Sequence, residues 1–357
     1  MRSGRWVKWI GGASNQDLAG IEDLAGIYSL AGVHCLDLAA DAAVVAAARR
    51  GVAWAAQLGA TRPWLMVSVS DGADPHFRKA WFDARRCPPG CPRPCERLCP
   101  AQAIAAGVVV DNRCYGCGRC LPACPHGLIE ERSLLLSDAA VPPLLMQLRP
   151  DAIELHTRIG RADAFAARLD QVRSAGIPLR RLAVSCGLEV EGLAQAGACA
   201  AGTRSADGQA DRLAAELWER FAQVRRAGFQ PLWQLDGRPM SGDVGAGTAR
   251  AAVSLLRRVA RALPPGPVQL AGGTNASSLA LVEDPELGLA ARVAGVAFGS
   301  VARVRLQVLL GQAQDRGGRL LDQPDLLEQA MVIASALVTP WLQRRSGIRP
   351  PAARAAG

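Results

Sequence analysis

Lysine is almost missing from this sequence: of 41 basic residues, only Lys8 and Lys79 are not arginine. Such a ratio, beside abundant alanine and glycine, reflects codon bias more than function, and the formal charge of +9 reads as a generally basic surface. No basic helix, zinc finger or aromatic RNA-binding strand accompanies the charge, so no nucleic-acid partner is expected. Half of the residues are hydrophobic, yet no apolar run reaches membrane-spanning length, and Met1 to Gly20 lack the basic-then-apolar pattern of a signal peptide. The expectation is a cytoplasmic chain without a membrane span. Several enzyme signatures are also missing. The first strand is followed by a glycine-rich turn, Gly11 to Ser14, and not by G-x-G-x-x-G; there is no H-E-x-x-H, no nucleophile elbow and no separate C-x3-C-x2-C set.

Cysteine is what the chain has in excess. Eight of its 11 cysteines lie between Cys87 and Cys124. Without a secretory signal, such a block points to metal binding in a reducing compartment. Its second half, Cys114, Cys117, Cys120 and Cys124 followed by Pro125, matches the bacterial run C-x2-C-x2-C-x3-C-P. Three thiolates within seven residues wrap three corners of an iron-sulfur cube, and Gly116 and Gly118 allow the tight turns between them. The fourth cysteine of such a run ligates the other cluster. The expected sets are therefore Cys99, Cys114, Cys117 and Cys120 for one [4Fe-4S] cluster, and Cys87, Cys91, Cys95 and Cys124 for the other. Zinc is the rival metal, but its sites favour two close ligand pairs split by a longer loop.

The two halves are related internally, since Pro100 and Pro125 each follow a crossover cysteine. Ala101 to Ala105 and His126 to Ile129 are expected as short helical or turn segments behind them, with a strand-like Val108 to Val110 between. The first half is stretched, with three-residue gaps between cysteines, which leaves its cluster more labile and able to lose an iron to a [3Fe-4S] form. Cys35, Cys186 and Cys199 stand apart and read as small core hydrophobes.

Outside the block, short apolar runs alternate with amphipathic segments. Strands are expected at residues 6–10, 34–38, 64–69, 152–156, 181–185, 230–235, 268–271 and 296–298. Helices are expected at 17–30, with Ser14 and Asp17 at capping-box spacing, and at 42–58, 134–148, 162–174, 209–226, 246–262, 276–290 and 301–310. Eight such units predict an α/β fold, a (β/α)8 TIM-like barrel with a bacterial-ferredoxin-like two-cluster module inserted after strand three; the alternative is an open doubly wound sheet with a separate ferredoxin domain. The expected division is 1–72 and 134–320 for the barrel, 73–133 for the module, and 321–357 for a C-terminal packing or partner-binding helix and a flexible tail.

An insertion after a strand emerges at the barrel's C-terminal face, where barrel active sites are built. Gly272, Gly273, Thr274 and Asn275 after the seventh strand, and Gly299 and Ser300 after the eighth, are candidates for gripping a phosphate-bearing ligand, although they serve equally as turns. Asp37, Asp41, Ser68, Ser70, Asp71, His156, Ser185, Asp236 and Arg238 also fall near strand ends, and Lys8 lies within strand one. These groups form no recognisable catalytic machine.

The stretches GRWVKWIGGASNQDL, SLAGVHCLDLAADAAVVAAARRG, CPPGCPRPCERLCPAQAI, CYGCGRCLPACPHG and LAGGTNASS, and with them the chain up to about Pro340, resemble the cyanobacterial light-dependent period (LdpA) family of iron-sulfur proteins. The resemblance implies a redox sensor more than an enzyme. It would couple cellular redox state, which varies with light intensity, to the circadian clock, in association with clock oscillator and input-kinase proteins. It carries the cluster role onto the eight cysteines and transfers no catalytic residue. Two readings stand beside it: an electron relay exchanging with a ferredoxin or flavodoxin, and a barrel enzyme with a phosphate-bearing substrate.

Overall fold

The computed structural model describes residues 1, 3–191, 203–240 and 243–345, with the backbone alone described for 203–206. Cys199 and the tail beyond 345 lie outside the described residues. Trp6–Gly12 (β1), Cys35–Ala39 (β2) and Trp64–Ser70 (β3) are followed by four short strands, Arg78–Trp81 (β4), Ile104–Ala105 (β5), Val108–Val109 (β6) and Glu130–Ser133 (β7). Ala152–His156 (β8), Arg181–Cys186 (β9), Pro231–Asp236 (β10), Val268–Ala271 (β11) and Gly295–Phe298 (β12) complete the set. The other eight strands pair in parallel and close through β1 with β12, so the barrel expected from the sequence is the fold. Among the described residues no helix is long and apolar enough to cross a membrane.

The helices are Leu18–Leu30 (α1), Ala42–Gln57 (α2), Pro94–Leu98 (α3), Cys120–Ala123 (α4), Val141–Leu148 (α5), Ala162–Ser174 (α6), Thr203–Arg226 (α7), Ala249–Val259 (α8), Ser278–Glu283 (α9), Ser300–Val304 (α10), Gln307–Asp315 (α11) and Pro324–Leu342 (α12). Several depart from expectation; the helix expected at 301–310, for one, is broken into α10 and α11. α5 starts at Val141, not Leu134, because Pro142 and Pro143 fit only a first turn. α9 stops at Glu283, not Ala290, since Asp284 precedes Pro285 and is held out of the helical region. No Ser14 capping box forms: Asp17 itself caps α1, accepting from Gly20 N–H at 3.2 Å. α12 buries Leu326, Ala330, Leu337 and Trp341, as a packing helix does.

Alternate residues of a strand share a face. The barrel interior begins with an apolar layer of Trp6, Cys35, Met66, Ala152, Ala183 and Leu232, which places Cys35 in the core as expected; Cys186 is also buried among apolar side chains. Two residues further along the same strands stand Lys8, Asp37, Ser68, Glu154, Ser185 and Gln234, all buried. A barrel interior is ordinarily filled by branched apolar side chains. Here its upper half is polar.

Candidate metal centre and barrel mouth

The cysteine module stands on an antiparallel ribbon in which Arg78 pairs with Ser133 and Trp81 with Glu130. The helical turns lie before the Cys-Pro steps, as α3 and α4, while Ile104–Ala105 pairs with Val108–Val109 as a minimal hairpin; the helical alternative for Ala101 to Ala105 is thus excluded. The halves are related in their hydrogen bonds as well. Ala103 N–H donates to Cys99 Sγ at 3.2 Å and Leu128 N–H to Cys124 Sγ at 3.4 Å, four residues on in each case.

Cys99, Cys114, Cys117 and Cys120 line one cavity of about 440 Å³, with Tyr115, Gly116, Gly118 and Ile104. Ala80 N–H donates to Cys114 Sγ at 3.3 Å. Gly116 has φ +76° against β4, and a Cβ there would lie 2.3 Å from the Arg78 carbonyl oxygen, so only glycine lets the loop close. Burial, and then the neighbouring Cys117, Cys114 and Cys99, push the Cys120 thiol up to about 12. Four crowded sulfurs repel as thiolates, and a cationic core at their centre reverses that repulsion.

Cys87, Cys95 and Cys124 pack with Phe82 and Ile129 in an apolar group that also includes Cys99 and Cys120; Cys91 is half-buried in the turn from Pro88. Burial raises Cys124, but backbone N–H groups of Leu128 and His126 outweigh it and hold the thiol below its ordinary value. Among the described residues no three cysteine sulfurs lie within 4.8 Å of one another. A tetrahedral zinc at 2.3 Å needs its sulfurs about 3.8 Å apart, an arrangement that no three of the described cysteines form. Sulfur donors, N–H···S bonds and a pocket lined by four cysteines fit an iron-sulfur cluster.

The module is anchored to the barrel mouth by buried polar contacts. Lys79, 1% exposed, donates to Gln16 Oε1 at 2.7 Å, the Asp111 carbonyl at 2.6 Å and Asp111 Oδ2 at 3.1 Å. Arg303, after β12, donates to the Gly11 carbonyl and lies 4.0 Å from the Tyr115 ring centroid. Tyr115 follows a cluster cysteine and Arg303 lines the barrel cavity, so one stacked pair separates the two.

That cavity measures about 790 Å³ out to solvent. At its floor the Lys8 ammonium, fully buried, donates to Asp37 Oδ2 at 2.9 Å and to Glu154 Oε2. Burial alone would lower Lys8; Asp37 and Glu154 reverse this and keep it charged. Glu154 is also paired to His156 Nε2 at 3.0 Å and accepts from Gln234 Nε2 at 2.8 Å. Gln269 continues the network to Gln234 at 2.6 Å. Burial opposes charge on His156, but Glu154, Asp74 and Asp236 push it up to about 9. Burial and Glu154 push Asp236 up to about 6.

Of the strand-end residues singled out in the sequence, Asp37, Ser68, His156, Asp236 and Arg238 line this cavity, and Ser185 donates to Asp236. Asp41 instead caps α2, Ser70 donates to the Gly72 carbonyl at 2.7 Å, and Asp71 pairs with Arg161 at 3.0 Å. Gly272, Gly273, Thr274, Gly299 and Ser300 line the cavity. Asn275 does not: its amide donates to the Gly245 and Ala246 carbonyls, pinning the loop before α8. Sequence reasoning missed Glu154, Gln234, Gln269, Asp74 and His76. The signal for the first three was a single polar residue in the middle of each apolar strand.

Two family models match the chain: the LdpA Fe-S cluster-binding domain over residues 87–135 and the Light dependent period A C-terminal domain over residues 144–340. The curated protein Light dependent period A of Synechococcus elongatus is 43% identical over 351 residues, covering 97% of this chain and 94% of that protein. Among solved structures, Mycobacterium tuberculosis tryptophan synthase in space group F222 covers 96% of this chain and 95% of its own at 11% identity and a TM-score of 0.43, too distant to inform chemistry.

Proposed function

This chain belongs to the light dependent period A family, and we propose that it is an iron-sulfur redox sensor that couples the cell's light-dependent redox state to a circadian clock. Cys99, Cys114, Cys117 and Cys120 would hold an inner [4Fe-4S] cluster, and Cys87, Cys91, Cys95 and Cys124 an outer one, more labile and able to lose an iron. When bound, a cluster supplies one-electron redox chemistry, with a change of one charge in a low-dielectric site. The protein's own part is to set that site: N–H groups of Ala80, Ala103 and Leu128 face the sulfurs, and the Tyr115–Arg303 pair ties the inner loop to the barrel. The observation that carries the reading is that the four inner cysteines line one pocket beside that pair.

Clock oscillator and input-kinase proteins are the proposed readers, with ferredoxin or flavodoxin as electron donors. Anaerobic purification with iron and sulfide counting, and EPR across a redox titration, tests the cofactor; eight irons per chain are expected. Binding of a clock oscillator protein to the oxidised and the reduced chain tests the sensor, and equal affinities would overturn it.

One observation favours a second reading, in which the barrel is a catalyst. A platform has no need of a buried Lys8–Asp37–Glu154 network, whose desolvation costs stability that apolar packing would not. In that reading Gly272, Gly273, Thr274, Gly299 and Ser300 would receive a phosphate-bearing substrate. Saturable binding of inorganic phosphate, lost when Thr274 or Ser300 is changed to valine, is the expected sign.

A further inference from the structure

The mouth carries a second cluster of metal-ligating groups, none of them a cysteine. Asp74 and His76 lie on the loop between β3 and β4, and His156 ends β8; one donor atom from each lies within 4.8 Å of the others. His76 Nδ1 sits 2.7 Å from Asp74 Oδ1, and the two imidazole rings are 4.8 Å apart between centroids. All three are largely buried, their side chains 9%, 23% and 7% exposed for Asp74, His76 and His156. We propose that Asp74, His76 and His156 bind a divalent transition-metal ion at the rim of the barrel cavity.

Three features argue for an ion and not merely a hydrogen-bonded cluster. Two histidines and one carboxylate are a donor set for Fe²⁺ or Zn²⁺, with positions left open for a ligand. Glu154 takes one ring nitrogen of His156 at 3.0 Å, as a metal-ligating histidine is ordinarily oriented by a carboxylate, and leaves the other nitrogen to ligate. The charge is also unbalanced. Asp37, Asp74, Glu154, Glu189, Asp236 and Asp243 line this cavity and the smaller one behind it, against Lys8 beneath them and Arg158, Arg238 and Arg303 on the walls, so acidic groups outnumber the fixed cations.

Coordination at about 2.0–2.2 Å needs donors about 3.0–3.5 Å apart, which small side-chain rotations supply. His76 and His156 line both the main cavity and a smaller one behind it, so the open positions face the space where a ligand would enter. The site would make the barrel a centre that polarises an oxygen-bearing ligand in the cavity.

The test uses the full chain with its clusters loaded anaerobically and freed of loose metal on a chelating resin, with Zn²⁺ as the probe. One equivalent is expected by calorimetry, with X-ray absorption at the zinc edge showing only nitrogen and oxygen neighbours at about 2.0–2.1 Å. His76→Ala and Asp74→Asn should each weaken binding more than about ten-fold while the cluster absorbance is retained. Sulfur neighbours at about 2.3 Å, no stoichiometric binding, or unchanged affinity in His76→Ala would overturn the proposal. Should a variant lose its clusters, the absorption spectrum of the unmodified chain decides alone.

Discussion

The barrel and the cysteine module are held together by different physics. The barrel buries a continuous apolar core from Val7 to Trp341, against which a few interior charges are tolerated. The module has two small apolar groups, in which cysteines themselves are members, and strands of two to four residues. It also leaves Trp81, Leu98 and Val108 exposed. A segment with so little core is ordinarily stabilised by a staple such as a bound metal. One part of the molecule is thus specified by burial and the other by coordination, and each difference is open to test.

Iron removal should have the largest effect. Stripping the clusters with a chelator under mild oxidation should let residues 73–133 exchange their amide hydrogens freely while α1, α2 and α8 stay protected, as hydrogen-exchange mass spectrometry would report. Full protection of the module without iron would erase the contrast. Within the module, Cys117→Ser should remove about half of the iron, read by iron and sulfide counting. Cys91→Ser, at the more exposed end, should first yield a three-iron EPR signal.

Within the barrel, Lys8→Met should cost about 3–5 kcal/mol in urea denaturation, because it leaves Asp37 and Glu154 buried without their cation. Iron content should not change, which would separate the two regions cleanly. Asp23 gives the barrel a pH dependence of its own. Its carboxyl accepts from Leu320 and Leu321 N–H but is pushed up to about 6, chiefly by burial. A raised carboxyl stabilises the fold below about pH 4, and the contribution, about 3 kcal/mol, is lost as pH rises through 6. The melting temperature of Asp23→Asn should therefore gain on the wild type between pH 4 and 7 and run parallel to it above. The smallest effect is expected at the junction, where Tyr115→Leu removes the stacking with Arg303 and should cost about 1–2 kcal/mol.

The strands were the most legible part of the fold, since near-continuous apolar runs bounded by turn residues announce covered parallel strands; Ala152–His156 and Val268–Ala271 fall where the pattern put them. Helix ends were less legible because they depend on local competition. Pro142 moves one start, Pro285 one end, and Asp17 displaces Ser14 as a cap. Lys8 and Lys79 show the limit of composition: the two lysines of an arginine-rich chain looked like a residue of codon bias, yet both are buried, each as a compact ammonium reaching several acceptors. A planar guanidinium presents its donors in a fixed fork and would need a differently shaped set of acceptors.

Sequence by itself determined the cysteine module's ligand spacing and the alternation of strand and helix. Both are local properties, since three thiols within seven residues stay near one another in any fold and hydrophobic period depends on neighbours along the chain. The charged mouth was decided only by tertiary structure. Lys8, Asp37, Glu154 and Gln234 are separated by up to 226 positions in sequence, and nothing in their surroundings pairs them. Barrel closure of β1 against β12, with the strand register, points them inward at one height. The same closure sets the cysteine module above them.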